Sequence, residues 1–360
     1  MALRNQFMRA YPLRSYSSSC RRQRHVPFTI FRDVAGLREV RRPMFQPPNK
    51  VGFVPTMGAL HEGHLSLVRH ALNENNHVFV SIFVNPTQFG VNEDLDSYPK
   101  TWASDLEKLK TLQDEHLQSN TGGRDSRIQG IFAPSVKTMY PVLPPSSEID
   151  GDGSFVTITP LSNWLEGASR PVFFRGVATV CMKLFNIVQP DRVYFGQKDV
   201  QQSVLIRRMV KDFHIPTQVR VIETSRESDG LAMSSRNVYL GERRRADVAI
   251  LSKALFAARS TYDSGETSAQ AIRQAAWRVF DELRHAGQWQ ANSCKLEVDY
   301  IALSGPDDMA TFDDAAHVDP KEGAILSAAM KVFPVDHPAN DEERGQISVR
   351  LIDNVLLSAK

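Results

Sequence analysis

Short apolar runs alternate with longer amphipathic segments over roughly the first 220 residues, and this alternation constrains the fold more than any other feature. Residues 51–55 have the pattern of a buried strand, residues 62–75 have the 3.6-residue apolar period of a helix, and residues 77–84 form a second apolar run. Strand, helix and strand in that order predict a parallel βαβ unit with a right-handed crossover. The alternation continues with strand patterns at 130–133, 155–158, 192–195 and 217–223 and with helical patterns at 102–112, 176–188 and 199–213.

This alternation predicts the α/β class, with a Rossmann-like open parallel sheet over residues 33–224. After residue 225 the order changes, because two long amphipathic helices precede three strand patterns, at 242–262, 268–285, 295–303, 324–332 and 348–356. Helices followed by strands predict a smaller α+β domain over residues 225–360. Within the first domain, the polar stretch at about 113–129 is expected to form an exposed insertion.

The first 32 residues have an unusual composition. They contain seven arginines, no acidic residue and a serine-rich stretch at 15–19. This composition is typical of a mitochondrial transit peptide. The alternative is a disordered extension of a cytoplasmic protein. We therefore predict a mitochondrial location and exclude residues 1–32 from the folded chain.

Charge, cysteine content and hydrophobicity exclude several functional classes. Without its first 32 residues the chain has a formal charge of about −5, which argues against a general affinity for nucleic acid. Cys20, Cys181 and Cys294 show no CxxC spacing, which argues against a disulfide framework and a thiolate metal site. The longest apolar stretch, at 177–188, is far shorter than the roughly 20 residues that span a bilayer. We expect neither nucleic acid nor a membrane as a partner.

The segment Pro-Thr-Met-Gly-Ala-Leu-His-Glu-Gly-His at 55–64 links the first strand to its helix. Helix N-termini present unpaired backbone N–H groups and a partial positive charge, so an anion would be well placed here. His61 and His64 are one turn apart and add directed donors toward phosphate oxygens. Gly58 and Gly63 let a nucleotide approach the backbone closely. The alternatives are a zinc-binding pair and a structural turn with solvated histidines.

Two further loops contain charged and hydroxyl side chains. Lys198 and Asp199 follow the strand pattern at 192–195, and open α/β sheets bind ligands outside the carboxyl ends of their strands. Lys198 is suited to neutralising a phosphate, and Asp199 either contacts Mg²⁺ or caps the next helix. The loop Asp-Gly-Leu-Ala-Met-Ser-Ser-Arg-Asn at 229–237 combines two hydroxyls and a guanidinium, which suits a mobile phosphate clamp. The alternative for this third segment is an ordinary polar loop.

Together these segments resemble one family closely, the pantothenate synthetases or pantoate–β-alanine ligases of the class I aminoacyl-tRNA synthetase-like nucleotidyltransferase superfamily. The 55–64 segment resembles the HIGH-type signature of that superfamily, and the 229–237 loop resembles its KMSKS-type loop. Further matches are Val-Asn-Pro-Thr-Gln-Phe at 84–89, Asp-Ser-Tyr-Pro at 96–99, Leu-Glu-Gly-Ala-Ser-Arg-Pro at 165–171 and Phe-Arg-Gly-Val at 174–177. The resemblance covers about 55–240, and we expect a eukaryotic, fungal-type member.

The resemblance implies a reaction and its site residues. Pantoate and β-alanine would be condensed to pantothenate at the expense of ATP, through a pantoyl adenylate, giving AMP and diphosphate for coenzyme A biosynthesis. It also implies Mg²⁺ as cofactor and a homodimer. The implied ATP-binding residues are Met57, Gly58, Ala59, Leu60, His61, Glu62, Gly63, His64, Gly196, Gln197, Lys198, Asp199, Ser225, Met233, Ser234, Ser235 and Arg236.

Within that set, the resemblance implies that His64 is the proton donor and that His61 is a phosphate ligand. Lys198 and Arg236 are the other implied catalytic residues. Gln88 matches a glutamine that holds pantoate and reaches β-alanine, and Gln202 matches one that holds pantoate. Both would supply amide groups that bond the hydroxyls and carboxylate of a small polar acid.

One departure from the family pattern concerns the residues after Arg170-Pro171. Family members usually have Gly-His there, whereas this chain has Val172-Phe173. A phenylalanine cannot form the hydrogen bonds of an imidazole, so either that imidazole is dispensable or the pocket is altered. Three rival functions remain at this point: a nucleotidyltransferase that transfers AMP to a phosphate, a tRNA-charging enzyme, and a nucleotide-binding remnant without turnover.

Overall fold

The computed structural model describes residues 27–90, 95, 98–119, 125–143, 145–285 and 294–360. Six strands form the larger of two sheets: β1 (Thr29–Phe31), β2 (Val51–Thr56), β3 (His77–Ile82), β4 (Arg127–Phe132), β5 (Arg192–Gly196) and β6 (Gln218–Ile222). Their spatial order is β1-β4-β3-β2-β5-β6, and every neighbouring pair is parallel. The order changes direction between β2 and β5, which is where open sheets of this class bind ligands.

Helices cover both faces of this sheet. They are α1 (Val34–Arg41), α2 (Glu62–Glu74), α3 (Trp102–Ser119), α4 (Val136–Met139), α5 (Glu166–Ser169), α6 (Phe173–Val188) and α7 (Val200–Asp212). Successive residues of a strand point to opposite faces, so Phe53 packs in one apolar cluster with Val177 of α6, and Val54 packs in another with Val68 of α2. Burial on both faces explains why the strand sequences are continuously apolar.

The C-terminal part forms a smaller α+β unit with its own core. Its helices and strands are α8 (Gly241–Asp247), α9 (Ile250–Asp263), α10 (Ala269–His285), β7 (Cys294–Ser304), β8 (Ala324–Val335), α11 (Asp341–Arg344) and β9 (Val349–Leu357). The three strands are antiparallel in the order β7-β8-β9. The predicted fold class, a parallel α/β sheet followed by a smaller α+β part, is therefore confirmed. The boundary at residue 225 stays a prediction.

The folded chain begins earlier than the sequence analysis predicted. Residues 29–31, assigned there to the extension, form the edge strand β1, and Phe28 and Phe31 are buried. Three residues are too few to show strand periodicity, and the pairing with β4 spans about a hundred residues of sequence. The exclusion of residues 27–32 was therefore wrong. The Arg-rich part at 1–26 lies outside the described residues.

The predicted insertion at about 113–129 is also largely regular structure. Helix α3 continues to Ser119 and β4 begins at Arg127, so only a short connection remains, of which residues 120–124 lie outside the described residues. Gln113 is buried, and its side-chain oxygen accepts a hydrogen bond at 2.7 Å from the backbone N–H of Ile128. A polar side chain that pairs with the sheet in this way has the same sequence signature as an exposed one.

The strand pattern at 155–158 does not form a strand. The backbone N–H of Val156 donates instead to the hydroxyl of Thr179 on α6, at 2.9 Å. This bond takes the place of a ladder partner and holds the extended segment against the helix. Among the described residues, no helix is both long enough and apolar enough to cross a membrane.

Candidate active site

A cavity of about 590 Å³ opens at the carboxyl ends of the parallel strands, beside the point where the strand order changes direction. The three segments singled out in the sequence meet there, although more than 160 residues lie between the end of the first and the start of the last. Strand β9 of the smaller sheet closes another side. The predicted site residues that line the cavity are Met57, His61, Gly63, His64, Gln88, Gly196, Lys198, Asp199, Gln202, Ser225, Met233, Ser234, Ser235 and Arg236.

Five predicted ATP-binding residues do not line the cavity: Gly58, Ala59, Leu60, Glu62 and Gln197. The side chain of Leu60 is buried in the apolar core, and the exposed carboxylate of Glu62 pairs with Arg69 on the same helix. The side-chain amide of Gln197 donates to Asn354 at 3.3 Å. The side chains of Leu60, Glu62 and Gln197, which the family resemblance implied for ATP binding, are therefore engaged within the protein.

Four backbone N–H groups of the 55–64 segment already have hydrogen-bond partners within the protein. Gly58 N–H donates to the Thr56 hydroxyl at 3.2 Å, and Gly63 N–H donates to Nδ1 of His61 at 3.2 Å. The N–H groups of Ala59 and Leu60 donate to the carboxylate of Asp105 at 3.0 and 2.8 Å. These four amides already have partners, so they are not the unpaired donors that the sequence analysis expected at the start of the helix.

The two glycines of this segment are needed for reasons that the sequence analysis did not identify. Gly58 has a φ of +87°, a left-handed conformation that glycine adopts at little cost. A Cβ atom on Gly63 would lie 2.9 Å from Cε1 of His61. Glycine at that position therefore lets the imidazole fold back and cap α2.

The rings of His61 and His64 lie against each other, with centroids 4.1 Å apart and planes tilted by 47°. Burial, with help from the Lys198 ammonium, lowers the pKa of His61 to about 4. Burial, the neighbouring His61 and Lys198 lower the pKa of His64 to about 3. Both rings are thus neutral near pH 7. The buried Nδ1 of His64 has no hydrogen-bond partner among the described residues, which suits a ring that awaits a ligand.

The lowered histidine pKa values predict that the fold loses stability in mild acid. In the unfolded chain both imidazoles bind a proton near pH 6.5, whereas in the folded chain they stay neutral down to about pH 4 and about pH 3. Their contribution to stability is complete above pH 6.5 and is lost below it, at about 1.4 kcal/mol per histidine per pH unit. Urea unfolding between about pH 7.5 and about pH 5 measures this slope. The variant His64→Gln should make the slope shallower, and an unchanged slope would contradict the expectation.

Lys198 and Asp199 lie where β5 ends. The side chain of Lys198 is 18% exposed, and its Nζ lies 3.6 Å from Oδ1 of Asp199, which is 47% exposed. Asp199 stands at the N-cap position directly before α7 but accepts no capping hydrogen bond from that helix, so the capping alternative is not supported. Asn354 of β9 donates to the backbone carbonyls of Gln197 and Lys198, both at 2.9 Å. The smaller sheet therefore holds this segment in place.

The loop at 229–237 is closed on itself and attached to the smaller sheet. Met233 N–H donates to the Ser225 carbonyl at 3.0 Å, and the Ser234 hydroxyl accepts from Arg236 N–H at 3.3 Å. At the base of the loop, Arg226 forms a two-bonded ion pair with the buried Asp353 of β9 at 2.6 and 2.9 Å. The hydroxyls and guanidinium of the loop are thus presented to the cavity from a fixed base.

The opposite side of the cavity is built around Gln88, in a short 3-10 turn at Pro86–Gln88. Its side-chain oxygen accepts from Asn85 at 3.2 Å, and its carbonyl accepts from Arg170 at 3.3 Å. The Arg170 guanidinium lies 3.9 Å from the ring centroid of Phe173. A Cβ on Gly176 would lie 2.3 Å from the carbonyl oxygen of Thr87, so α6 can approach the turn only through a glycine.

Several contacts at the cavity could not be predicted from the sequence. Arg170 lies in the matched motif at 165–171 and Phe173 is part of the departure that follows it, but the contact between them depends on the turn before α6. Arg350 and Asp353 belong to a strand whose pattern shows only burial. Within the described part of the chain, no group of three or more His, Cys, Asp or Glu side chains could hold a metal ion, so the zinc alternative for the histidine pair finds no support.

A family model described as pantoate-β-alanine ligase matches residues 29–356 of this chain. The chain belongs to this family. The match begins at the first residue of β1 and ends within β9, so the pantoate-β-alanine ligase family includes both sheets.

Relatives of known name support this family assignment. The pantothenate synthetase of Roseiflexus castenholzii is 41% identical over 330 residues, which cover 91% of this chain and all of the relative. That of Moorella thermoacetica is 41% identical over 328 residues, which cover 91% of this chain and 98% of the relative. The fold is similar to the crystal structure of pantothenate synthetase from Thermus thermophilus, with a TM-score of 0.67 and 36% identity over 92% of this chain and 100% of the other.

A second crystal structure of a similar protein contains bound ligands. It is the pantoate-β-alanine ligase of Francisella tularensis in complex with β-γ ATP and β-alanine. Its TM-score is 0.60 and its identity 31%, over 92% of this chain and 98% of the other. The Francisella ligase thus binds a nucleotide and an amino acid on a fold shared with this chain.

Proposed function

We propose that this chain condenses pantoate with β-alanine to form pantothenate, with ATP converted to AMP and diphosphate. The observation that carries the proposal is that one cavity is lined by the neutral histidine pair, Lys198 and the 233–236 loop, and also by Gln88 and Gln202. The first set suits a polyphosphate, and the two glutamines suit a small hydroxy acid. Family membership supports the same reaction.

Two chemical steps fit this arrangement. The pantoate carboxylate attacks the α-phosphorus of ATP and diphosphate leaves, and the amine of β-alanine then attacks the acyl carbon and AMP leaves. Negative charge increases on the phosphate oxygens and on the leaving diphosphate in the first step. Lys198, Arg236 and the N–H groups of His61 and His64 stabilise that charge by position, without a covalent intermediate on the enzyme.

The neutral state of the histidines has a consequence for binding. Two imidazolium groups 4.1 Å apart beside Lys198 would repel one another, and burial keeps both rings neutral before a nucleotide binds. A bound polyphosphate raises the pKa of both rings, because a nearby negative charge favours the protonated form. We propose that His64 becomes a proton donor only once the nucleotide is present.

The acid side is expected to depend on Phe173. Phe173→Ala removes the ring beneath Arg170 and leaves a void, so Arg170 no longer fixes the turn that carries Gln88. The loss of one cation–π contact predicts an increase in KM for pantoate of about 3- to 10-fold, with a smaller change in kcat. Steady-state kinetics with varied pantoate measure it. Phe173→Tyr keeps the stacking and should behave as the parent, and an unchanged KM in Phe173→Ala would remove the ring from this role.

We propose Mg²⁺ as the cofactor and Asp199 as its protein ligand. Mg²⁺ is usually held by one or two carboxylates together with substrate phosphates, and the Asp199 carboxylate is half-exposed at the cavity and caps no helix. When bound, the ion would neutralise charge on the triphosphate. A homodimer is also proposed from the family resemblance, and light scattering of the purified chain tests it.

We propose a mitochondrial location and a eukaryotic, fungal-type source. The mitochondrial location and the eukaryotic source rest on the Arg-rich, acid-free composition before Asp33, the fungal type rests on the family resemblance alone, and cytoplasm is the alternative location. The relatives named above are bacterial, so the source stays a prediction. Fusing residues 1–32 to a fluorescent protein tests the location, because import into mitochondria supports it and diffuse cytoplasmic fluorescence favours the alternative.

The reaction is tested by diphosphate release from ATP and Mg²⁺ with pantoate and β-alanine added separately and then together. Sustained formation of AMP, diphosphate and pantothenate only with both substrates supports the ligase. Transfer of AMP to a phosphate acceptor would favour a nucleotidyltransferase. Nucleotide binding without diphosphate release would favour a remnant that has lost turnover.

A further inference from the structure

We propose that Asp105 and Lys108, one turn apart on α3, are positioning residues that hold the backbone before His61 in its working shape. The proposal rests on the proposed function, because it assigns an indirect role in the same reaction. Asp105 is 1% exposed, and neither residue lines the cavity. Their effect on the chemistry would pass through the segment 58–60.

The Asp105 carboxylate accepts hydrogen bonds from two consecutive backbone amides of that segment. One oxygen accepts from Leu60 N–H at 2.8 Å, and the other accepts from Ala59 N–H at 3.0 Å. Thr101, the residue directly before α3, donates its hydroxyl to the second oxygen at 3.0 Å. A carboxylate, with acceptors on both oxygens, can satisfy all three donors at once.

Lys108 binds the same residue, Leu60, through the peptide unit that follows it. Its ammonium donates to the Leu60 carbonyl at 2.5 Å, so Leu60 is held by its N–H from Asp105 and by its C=O from Lys108. The next residue is His61, whose carbonyl accepts from His64 N–H at 2.9 Å. The position of both imidazoles therefore follows directly from where Leu60 is held.

The backbone of the segment 58–60 adopts a strained conformation that these hydrogen bonds stabilise. Gly58 has a φ of +87° and Ala59 a φ of +51°, so two consecutive residues are left-handed. An alanine in that region is strained, because its Cβ approaches the following carbonyl oxygen. Charge-assisted hydrogen bonds from the N–H groups of Ala59 and Leu60 to Asp105 offset this strain.

Docking of α3 does not require these two polar residues. Leu109 and Leu112 on the same helix are buried in the apolar cluster beneath α2 and anchor it to the sheet. Apart from the bond with Thr101 just before the helix, the side-chain hydrogen bonds of Asp105 in the described chain all go to the loop before His61. Loss of the carboxylate is therefore expected to disturb the loop more than the fold.

Asp105→Asn keeps the shape of the side chain but replaces one acceptor by an amide N–H that faces a backbone N–H. We expect kcat to fall about 30-fold or more while KM for ATP changes less than about threefold, because the histidines act mainly on charge that develops in the transition state. Lys108→Met should lower kcat about 5- to 10-fold. Asp114→Asn and Lys110→Met, an exposed ion pair on the same helix, are matched controls that should stay within about twofold.

Amide hydrogen exchange gives a readout that does not need catalysis. In Asp105→Asn the amides of Ala59 and Leu60 should exchange at least about tenfold faster, while those of Leu109 and Leu112 keep their rates. If the parent protein has no ligase activity, the proposed function fails, yet exchange still reports whether Asp105 holds the loop.

Three outcomes would overturn the positioning role. Unchanged exchange at Ala59 and Leu60 would mean that the carboxylate does not hold the loop. Faster exchange with kcat within about twofold of the parent would mean that the hold does not serve the reaction. If Asp105→Asn does not fold, Lys108→Met carries the test, and an unchanged kcat in that variant overturns the proposal.

Discussion

Lys198→Met is expected to lower the rate of adenylate formation about 10²- to 10³-fold, which is the scale for losing one donor that stabilises charge in a transition state. The ammonium is four-fifths buried at the cavity beside the histidine pair, where water screens it little. Methionine retains the length and packing of the stem. Single-turnover diphosphate release with saturating ATP and pantoate measures the chemical step apart from binding.

Lys211→Met is the matched control for this variant, because Lys211 is exposed near the end of α7, the helix that follows Lys198. It removes the same charge from the chain and should leave the rate within about twofold of the parent. A rate in Lys198→Met close to that of the control would remove Lys198 from the mechanism. A change confined to KM for ATP would instead indicate that Lys198 stabilises bound ATP and the transition state equally.

The meeting of the three loops could be predicted from the sequence for a general reason. Three of the apolar strand patterns are followed by loops with polar or charged side chains, and the carboxyl ends of parallel strands share one edge of a sheet. His61 after β2 and Lys198 after β5 follow from this rule, and β2 and β5 are indeed neighbours. The loop at 229–237 follows β6, the next strand along.

Contacts that depend on exact packing could not be predicted. Asp105 in an amphipathic helix looks like an ordinary solvent-facing acid, and only the folded chain shows it bonded to two amides of a loop 45 residues earlier. Asn354 has no local pattern that points to Lys198, which lies 156 residues away. The amides at 58–60 seemed available because their partner could not be identified from the sequence.

A buried ion pair joins the larger sheet region to the smaller sheet beside the cavity. Arg350 of β9 makes two parallel bonds to the carboxylate of Glu166 on α5, of 2.5 and 2.8 Å. Tyr300 donates to the same carboxylate at 2.8 Å, and Arg350 also bonds Asp299 at 2.6 Å. Glu166 itself is 8% exposed. The buried carboxylate therefore takes its hydrogen bonds and its balancing positive charge from residues of the smaller sheet.

Arg350→Met is expected to lower the free energy of unfolding by about 3 kcal/mol, because it leaves the buried Glu166 carboxylate without its cation. Urea unfolding of the full chain measures this. Arg344→Met breaks an exposed pair with Asp341 and should cause no measurable change.

The double variant Arg350→Met/Glu166→Gln distinguishes two contributions to the free energy of unfolding. One is the attraction within the ion pair, and the other is the cost of leaving a buried charge unpaired. If that cost dominates, the double variant recovers much of the lost stability, since no buried charge then remains unpaired. If the attraction itself dominates, the double variant is no more stable than Arg350→Met. Full stability in Arg350→Met alone would mean that water reaches Glu166, and that the two sheets do not depend on this pair to close the cavity.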